Sequence, residues 1–205
     1  MTLQEILELA PVVPVLTIEE AAHAVPLARA LAAGGLTALE VTLRTPAAIA
    51  AIERIAGEVE GVVVGAGTVL NHADLDRAAR AGARFAVSPG LMEGGKPGGP
   101  VPLLPGVATA TEVLRALAAG FEFLKFFPAV PAGGLAMLKS FAPVFPQMRF
   151  CPTGGIGLEN AADFLALPNV VCVGGSWVAP AAAVRAGDWG RITELSRGAC
   201  QLLRP

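Results

Sequence analysis

Short apolar runs rich in β-branched residues recur along this chain, and each is followed by an Ala-, Leu- and Arg-rich stretch with helical spacing. That alternation constrains the fold more than any other feature. A strand that reads apolar throughout needs cover on both faces, and a crossover helix supplies it, so the pattern predicts an α/β protein with a parallel sheet. Eight runs read as strands, at 11–17, 36–43, 62–69, 84–89, 101–106, 121–127, 148–153 and 170–174. Helices are predicted at 18–33, 46–59, 73–81, 111–119, 134–141, 158–167 and 180–203, the last broken near Gly187, and a short helix at 3–9 opens the chain. Asn71 is placed to cap the helix at 73–81, with Asp74 three residues on. Gly34, Gly82 and Gly120 stand where left-handed C-terminal caps belong.

No linker or polar tract interrupts the series, so a single (β/α)8 barrel domain over 1–205 is predicted. At about 26 residues per unit it is lean beside a typical barrel of roughly 250 residues. The competing open, doubly wound sheet lacks its fingerprint, because Gly65-Ala66-Gly67-Thr68-Val69-Leu70 has Leu where the third glycine belongs. One unit is incomplete. Residues 91–100 hold four glycines and two prolines. Each costs about 1 and about 3 kcal/mol respectively in a helix interior, so a loop is expected in place of the outer helix after the fourth strand. The opening helix or another subunit is then expected to lie nearby and cover the fourth and fifth strands.

Composition narrows the function classes. With 54% hydrophobic residues and 205 positions the chain can bury a large core, and with 15 basic against 17 acidic residues it has no surplus of cations for a nucleic acid. No stretch of about 18 apolar residues runs without a charge, Gly or Pro, so no membrane span is expected. The start, Met1-Thr2-Leu3-Gln4-Glu5, lacks a basic segment followed by an apolar one, which favours the cytoplasm. Cys151, Cys172 and Cys200 fit neither a zinc pair nor a disulfide framework and read as buried thiols. His23 and His72 have no partners at metal spacing and read as surface residues; no metal and no cofactor are expected. Trp177 and Trp189 read as packing anchors, and Arg149 as a plug of the barrel bottom or the partner of an acid there.

Function then rests on polar groups inside apolar strands. In the second strand Leu39, Val41 and Leu43 share one parity and Glu40, Thr42 and Arg44 the other, so Glu40 and Arg44 are expected to point into the barrel. Their bland reading is a structural ion pair or a solvent edge. The sixth strand places Lys125 among Phe121, Phe123, Phe126 and Phe127, although only Lys96, Lys125 and Lys139 exist in the chain. An amine in apolar surroundings is freed to attack carbonyls, which Schiff-base chemistry requires, although a structural lysine paired with a carboxylate also fits. Lys139 reads as surface. The seventh and eighth strands end in Thr153-Gly154-Gly155-Ile156 and Gly174-Gly175-Ser176, which suit a phosphate site or serve as tight turns only.

Together these residues resemble the 2-dehydro-3-deoxy-6-phosphogluconate (KDPG) and 4-hydroxy-2-oxoglutarate aldolases over essentially the whole chain. Two motifs carry the resemblance: Gly35-Leu36-Thr37-Ala38-Leu39-Glu40-Val41-Thr42-Leu43-Arg44, and Gly120-Phe121-Glu122-Phe123-Leu124-Lys125-Phe126-Phe127-Pro128-Ala129 followed by Gly133. It implies a class I aldolase without cofactor, in which Lys125 forms the Schiff base and Glu40 shuttles protons. Arg44, Thr68 and the backbone around Pro89 would hold the substrate carboxylate. Thr153 would orient the substrate, and Gly154, Gly155, Gly175 and Ser176 would bind the phosphate. The expected partner is a phosphorylated 2-oxo acid, and the resemblance implies a homotrimer. A phosphosugar isomerase or epimerase, and a binding barrel without chemistry, are the competing functions.

Overall fold

The computed structural model describes residues 1–95 and 97–202. Eight of the apolar runs become strands that pair only in parallel: β1 (Val12–Leu16), β2 (Ala38–Thr42), β3 (Val63–Gly67), β4 (Ala86–Val87), β5 (Leu103–Leu104) with β6 (Gly106–Val107), β7 (Phe123–Phe126), β8 (Arg149–Pro152) and β9 (Val173–Gly175). Six strands run in the order β5-β4-β3-β2-β1-β9 and three in the order β6-β7-β8. The predicted fifth strand is split because Pro105, which has no N–H, sits between β5 and β6. Its carbonyl still accepts from Lys125 N at 2.8 Å. Around β8 and β9 there are two isolated parallel bridges, Phe150 of β8 with Val170 ahead of β9, and Thr153 just past β8 with Gly174 of β9. The result is an α/β fold in which parallel strands curl about a common interior.

Strand parity sorts the side chains into two cores. Val12, Leu39, Val41, Val64, Leu124 and Phe126 pack outward with the helices. Val13, Ala38, Phe85, Val87, Leu104, Cys151 and Cys172 fill the interior, and Ile6 and Leu7 of α1 (Leu3–Leu7) join them. α1 is therefore an apolar plug, held at its start by reciprocal Thr2 and Glu5 capping bonds. Arg149 does not play that part: it is exposed and its Nη1 donates to the carbonyls of Pro146 and Met148.

The helices are α2 (Ala24–Ala33), α3 (Ala48–Glu58), α4 (His72–Arg80), α5 (Ala110–Ala118), α6 (Gly134–Val144), α7 (Ala161–Leu165), α8 (Ala181–Ala186) and α9 (Trp189–Cys200). A 3-10 turn, Ala21–His23, replaces the first part of the helix expected at 18–33. Gly187, at φ 65°, divides α8 from α9 as expected, and position 203 lies outside the described residues. Asn71 caps α4 by accepting from Asp74 N at 2.9 Å. Gly82 and Gly120 take the left-handed cap, but Gly34 stays right-handed and Gly35, at φ 99°, takes the turn instead. Gly34 is instead where α2 and α9 touch: a Cβ there would meet Thr193 O at 2.7 Å.

Positions 91–95 and 97–100 form neither helix nor strand, and position 96 lies outside the described residues. Leu91 and Met92 pack against the outer core. The start of the opening helix lies beside this segment as expected, although its buried Ile6 and Leu7 turn to the interior and do not cover the outer faces of β4 and β5. Only Thr2 and Leu3 reach a cavity shared with 97–103. Cys151 and Cys172 are buried, whereas Cys200 is half-buried and donates to Gly35 O at 3.7 Å. Lys139 is exposed, and both tryptophans pack against the outer core.

Candidate active site

The two charged residues placed inside apolar strands meet across the interior. Glu40 stands third in β2 and Lys125 third in β7, and Lys125 Nζ donates to Glu40 Oε1 at 3.2 Å. Both are almost fully enclosed, at 3% and 4% exposure. A buried pair of this kind gains little net stability, because the desolvation of two ions offsets their attraction. Lys125 Nζ also lies 5.2 Å from the centre of the Phe127 ring, which forms one wall around the amine.

Two glycines of β3 make the room. Gly65 and Gly67 share the inward parity. A Cβ at Gly65 would run into the ring of Phe85, and one at Gly67 would collide with Glu40 Oε1 and lie 2.6 Å from its Cγ. The Glu40 carboxylate therefore occupies a space that only a glycine at 67 leaves free.

At the C-terminal ends of the strands lies a cavity of about 240 Å³ lined by Val15, Thr17, Arg44, Phe127, Thr153–Ile156 and Gly174–Ser176. Arg44 does not share the enclosed interior with Glu40 as its parity predicted. It lies beyond the end of β2, is exposed, and its Nε donates to Thr68 Oγ1 at 3.1 Å. Among the described residues Arg44 makes no ion pair, so its fork of donors faces the cavity with no carboxylate on it. Thr68 is held at φ 57°, a conformation that costs a β-branched residue about 1–3 kcal/mol and that tends to persist at functional sites.

The glycines of the last two turns have separate causes. Gly154 and Gly155 are left-handed, at φ 101° and 76°. The place of a Cβ on Gly174 is filled by Thr153, and that of one on Gly175 by the Trp177 ring. Ser176 is exposed at the cavity rim. Pro89 follows β4 at the same end and does not line the cavity; Gly106 leaves the room that its carbonyl fills.

The structure thus brings Lys125 and Glu40 together, and Arg44, Thr153, Gly154, Gly155, Gly175 and Ser176 around one cavity. Gly67 and Thr17 join the site without having been singled out from the sequence; Gly67 is legible there as one of two inward-parity glycines in the strand beside Glu40, whereas Thr17 carries no such signal. Among the described residues no three of His, Cys, Asp or Glu gather at metal-binding distance, and no helix is long and apolar enough to cross a membrane. His72 is exposed, with Nε2 against Glu93 O, and His23 packs edge-on to Trp189.

Comparison with known proteins identifies the family. The family model described as KDPG and KHG aldolase matches residues 3–195. The 2-dehydro-3-deoxy-phosphogluconate aldolase of Zymomonas mobilis subsp. mobilis is 52% identical over 205 residues, covering 98% of this chain and 97% of that one. The KHG/KDPG aldolase of Escherichia coli is 50% identical over 201 residues, covering 97% of this chain and 94% of that one. Among solved structures, a KDPG aldolase from Legionella pneumophila with pyruvate captured at low pH as a covalent carbinolamine superposes with a TM-score of 0.91 at 44% identity, covering 97% of this chain and 98% of that one. The chain belongs to the KDPG and KHG aldolase family.

Proposed function

We propose that this protein cleaves 2-dehydro-3-deoxy-6-phosphogluconate to pyruvate and glyceraldehyde 3-phosphate as a class I aldolase, and that 4-hydroxy-2-oxoglutarate is a second substrate. The observation that carries the reading is the enclosed Lys125–Glu40 pair at 3.2 Å beside a cavity that Arg44 lines. The aldolase relatives leave no support for the isomerase, epimerase or binding-only readings.

Glu40 lies close enough to take a proton from the Lys125 ammonium, which leaves a neutral amine to attack C2 of the 2-oxo acid. The carbinolamine, the kind of species captured in the Legionella enzyme, loses its hydroxyl as water when Glu40 returns the proton, and the iminium forms. Glu40 then takes the proton of the C4 hydroxyl. The C3–C4 bond breaks, its electrons pass to the iminium nitrogen, and the aldehyde departs. Glu40 protonates C3 of the enamine, and water releases pyruvate and regenerates Lys125. One carboxylate serves each step because the enclosed site keeps it beside the nitrogen.

Arg44, Thr68 and the backbone at Pro89 hold the carboxylate, Thr153 orients the chain of the substrate, and Gly154, Gly155, Gly175 and Ser176 take the phosphate. Glycine turns let a phosphate approach the backbone closely, which a Cβ would obstruct. We also infer a closed (β/α)8 barrel forming one domain over 1–205; the Pro105 joint and the two isolated bridges beside β8 and β9 support closure. A cytoplasmic location rests on the composition of the opening residues, and a homotrimer is carried over from family membership. Pyruvate release from the phosphogluconate derivative tests the reading: it should proceed undiminished in EDTA and disappear in Lys125→Ala. Loss in EDTA that a divalent metal restores would contradict it.

A further inference from the structure

Thr17 follows β1 and lines the cavity with Arg44 and Ser176. Its hydroxyl lies 3.2 Å from that of Thr42, which is fully buried. Geometry fixes the direction of this bond. The Thr42 hydroxyl donates to the Leu16 carbonyl at 2.8 Å, and a hydroxyl has a single hydrogen to give. Thr17 must therefore donate to Thr42, and its oxygen is left with lone pairs only. No N–H or O–H among the described residues points at it beyond this contact. The Arg44 fork that faces the same cavity is donor only. Thr17 is exposed to solvent at the cavity, and toward anything bound there its oxygen can only accept.

The substrate class supplies few donors. Resting on the aldolase reading above, the carboxylate, the 2-oxo group and the phosphate all accept, and only the C4 and C5 hydroxyls donate. Glu40 takes the C4 proton. We propose that Thr17 is a specificity-determining residue that accepts a hydrogen bond from the C5 hydroxyl, next to the phosphate-bearing carbon. The buried bond from Thr42 to the Leu16 carbonyl sets the polarity, so the chain end of β1 discriminates a hydroxylated substrate from a deoxygenated one.

The test is a cycle of two deletions, read as kcat/KM for the phosphogluconate derivative and for its 5-deoxy analogue. Wild-type protein should cleave the analogue about tenfold less efficiently, the scale of one neutral hydrogen bond. Thr17→Val should cleave both at about the wild-type rate on the analogue, having lost the discrimination. Thr17→Ser, which keeps the hydroxyl, should retain it. Full discrimination in Thr17→Val, or none in the wild type, would overturn the assignment. Failure of the wild type to cleave the parent substrate at all would instead overturn the aldolase reading beneath it.

Discussion

Gly67 and Glu40 share one space: the missing Cβ of the glycine is where the carboxylate of the glutamate sits, with its Cγ 2.6 Å and its Cδ 2.7 Å from the position a Cβ would take. Neither the β3 backbone nor a carboxylate held 3.2 Å from an amine can yield freely. Gly67→Ala should therefore push Glu40 out of line with Lys125. A misplacement of about 1 Å can cost about 10² in rate. The expected result is a fall of that order in kcat with KM changed far less, together with a loss of about 1–3 kcal/mol in stability from the added methyl, while the variant still folds. An unchanged kcat would show that Glu40 has another place to go.

Gly155 combines a left-handed backbone with a near neighbour, since a Cβ there would lie 2.8 Å from Val130 Cβ. Gly155→Ala should raise KM for the phosphorylated substrate well above the change seen with 4-hydroxy-2-oxoglutarate, because only the former presents a phosphate to this turn. Equal losses on both would assign Gly155 to the turn alone. Gly175 is a poorer probe, because its substitution displaces the Trp177 ring.

Away from the site, Glu112 sets a pH dependence of stability. Its carboxylate accepts from the backbone N–H of Ala108 at 2.7 Å, and from the hydroxyl and N–H of Thr109. The Ala108 bond is the main cause that holds its pKa below the ordinary 4.5, against a smaller opposing effect of burial. A lowered folded-state pKa gives stability that is present above the ordinary value and lost as pH falls through the folded one. Glu112→Gln should destabilise by about 1 kcal/mol near neutral pH, the scale of a lost cap. Denaturant midpoints should converge with wild type as pH drops below about 4.5. A constant gap would mean that the charge has no part in the cap.

The period-two alternation in 38–42 made the inward direction of Glu40 legible, and the apolar company of Lys125 marked it as unusual. What the sequence withheld was their meeting. The two residues lie 85 positions apart, and only the curl of the sheet brings their strands face to face. Arg44 escaped the parity argument because β2 ends at Thr42, after which alternation no longer dictates direction. The irregular backbone at 91–95 and 97–100 was readable from helix cost, but not the use of α1, whose Ile6 and Leu7 look equally suited to an inner or an outer core. Thr17 was hidden because its role depends on a hydrogen-bond direction set by Thr42 and the Leu16 carbonyl.

The central claim is that Lys125 is the nucleophile, and trapping tests it most directly. Incubation with pyruvate and borohydride, followed by intact and peptide mass spectrometry, should show one reduced pyruvyl adduct per chain, on Lys125. Lys125→Met combined with Glu40→Gln avoids leaving one charge buried alone, which can cost about 3–5 kcal/mol, and this folded double variant should gain no adduct. An adduct on Lys139 or another amine, or none on the wild-type chain, would contradict the account.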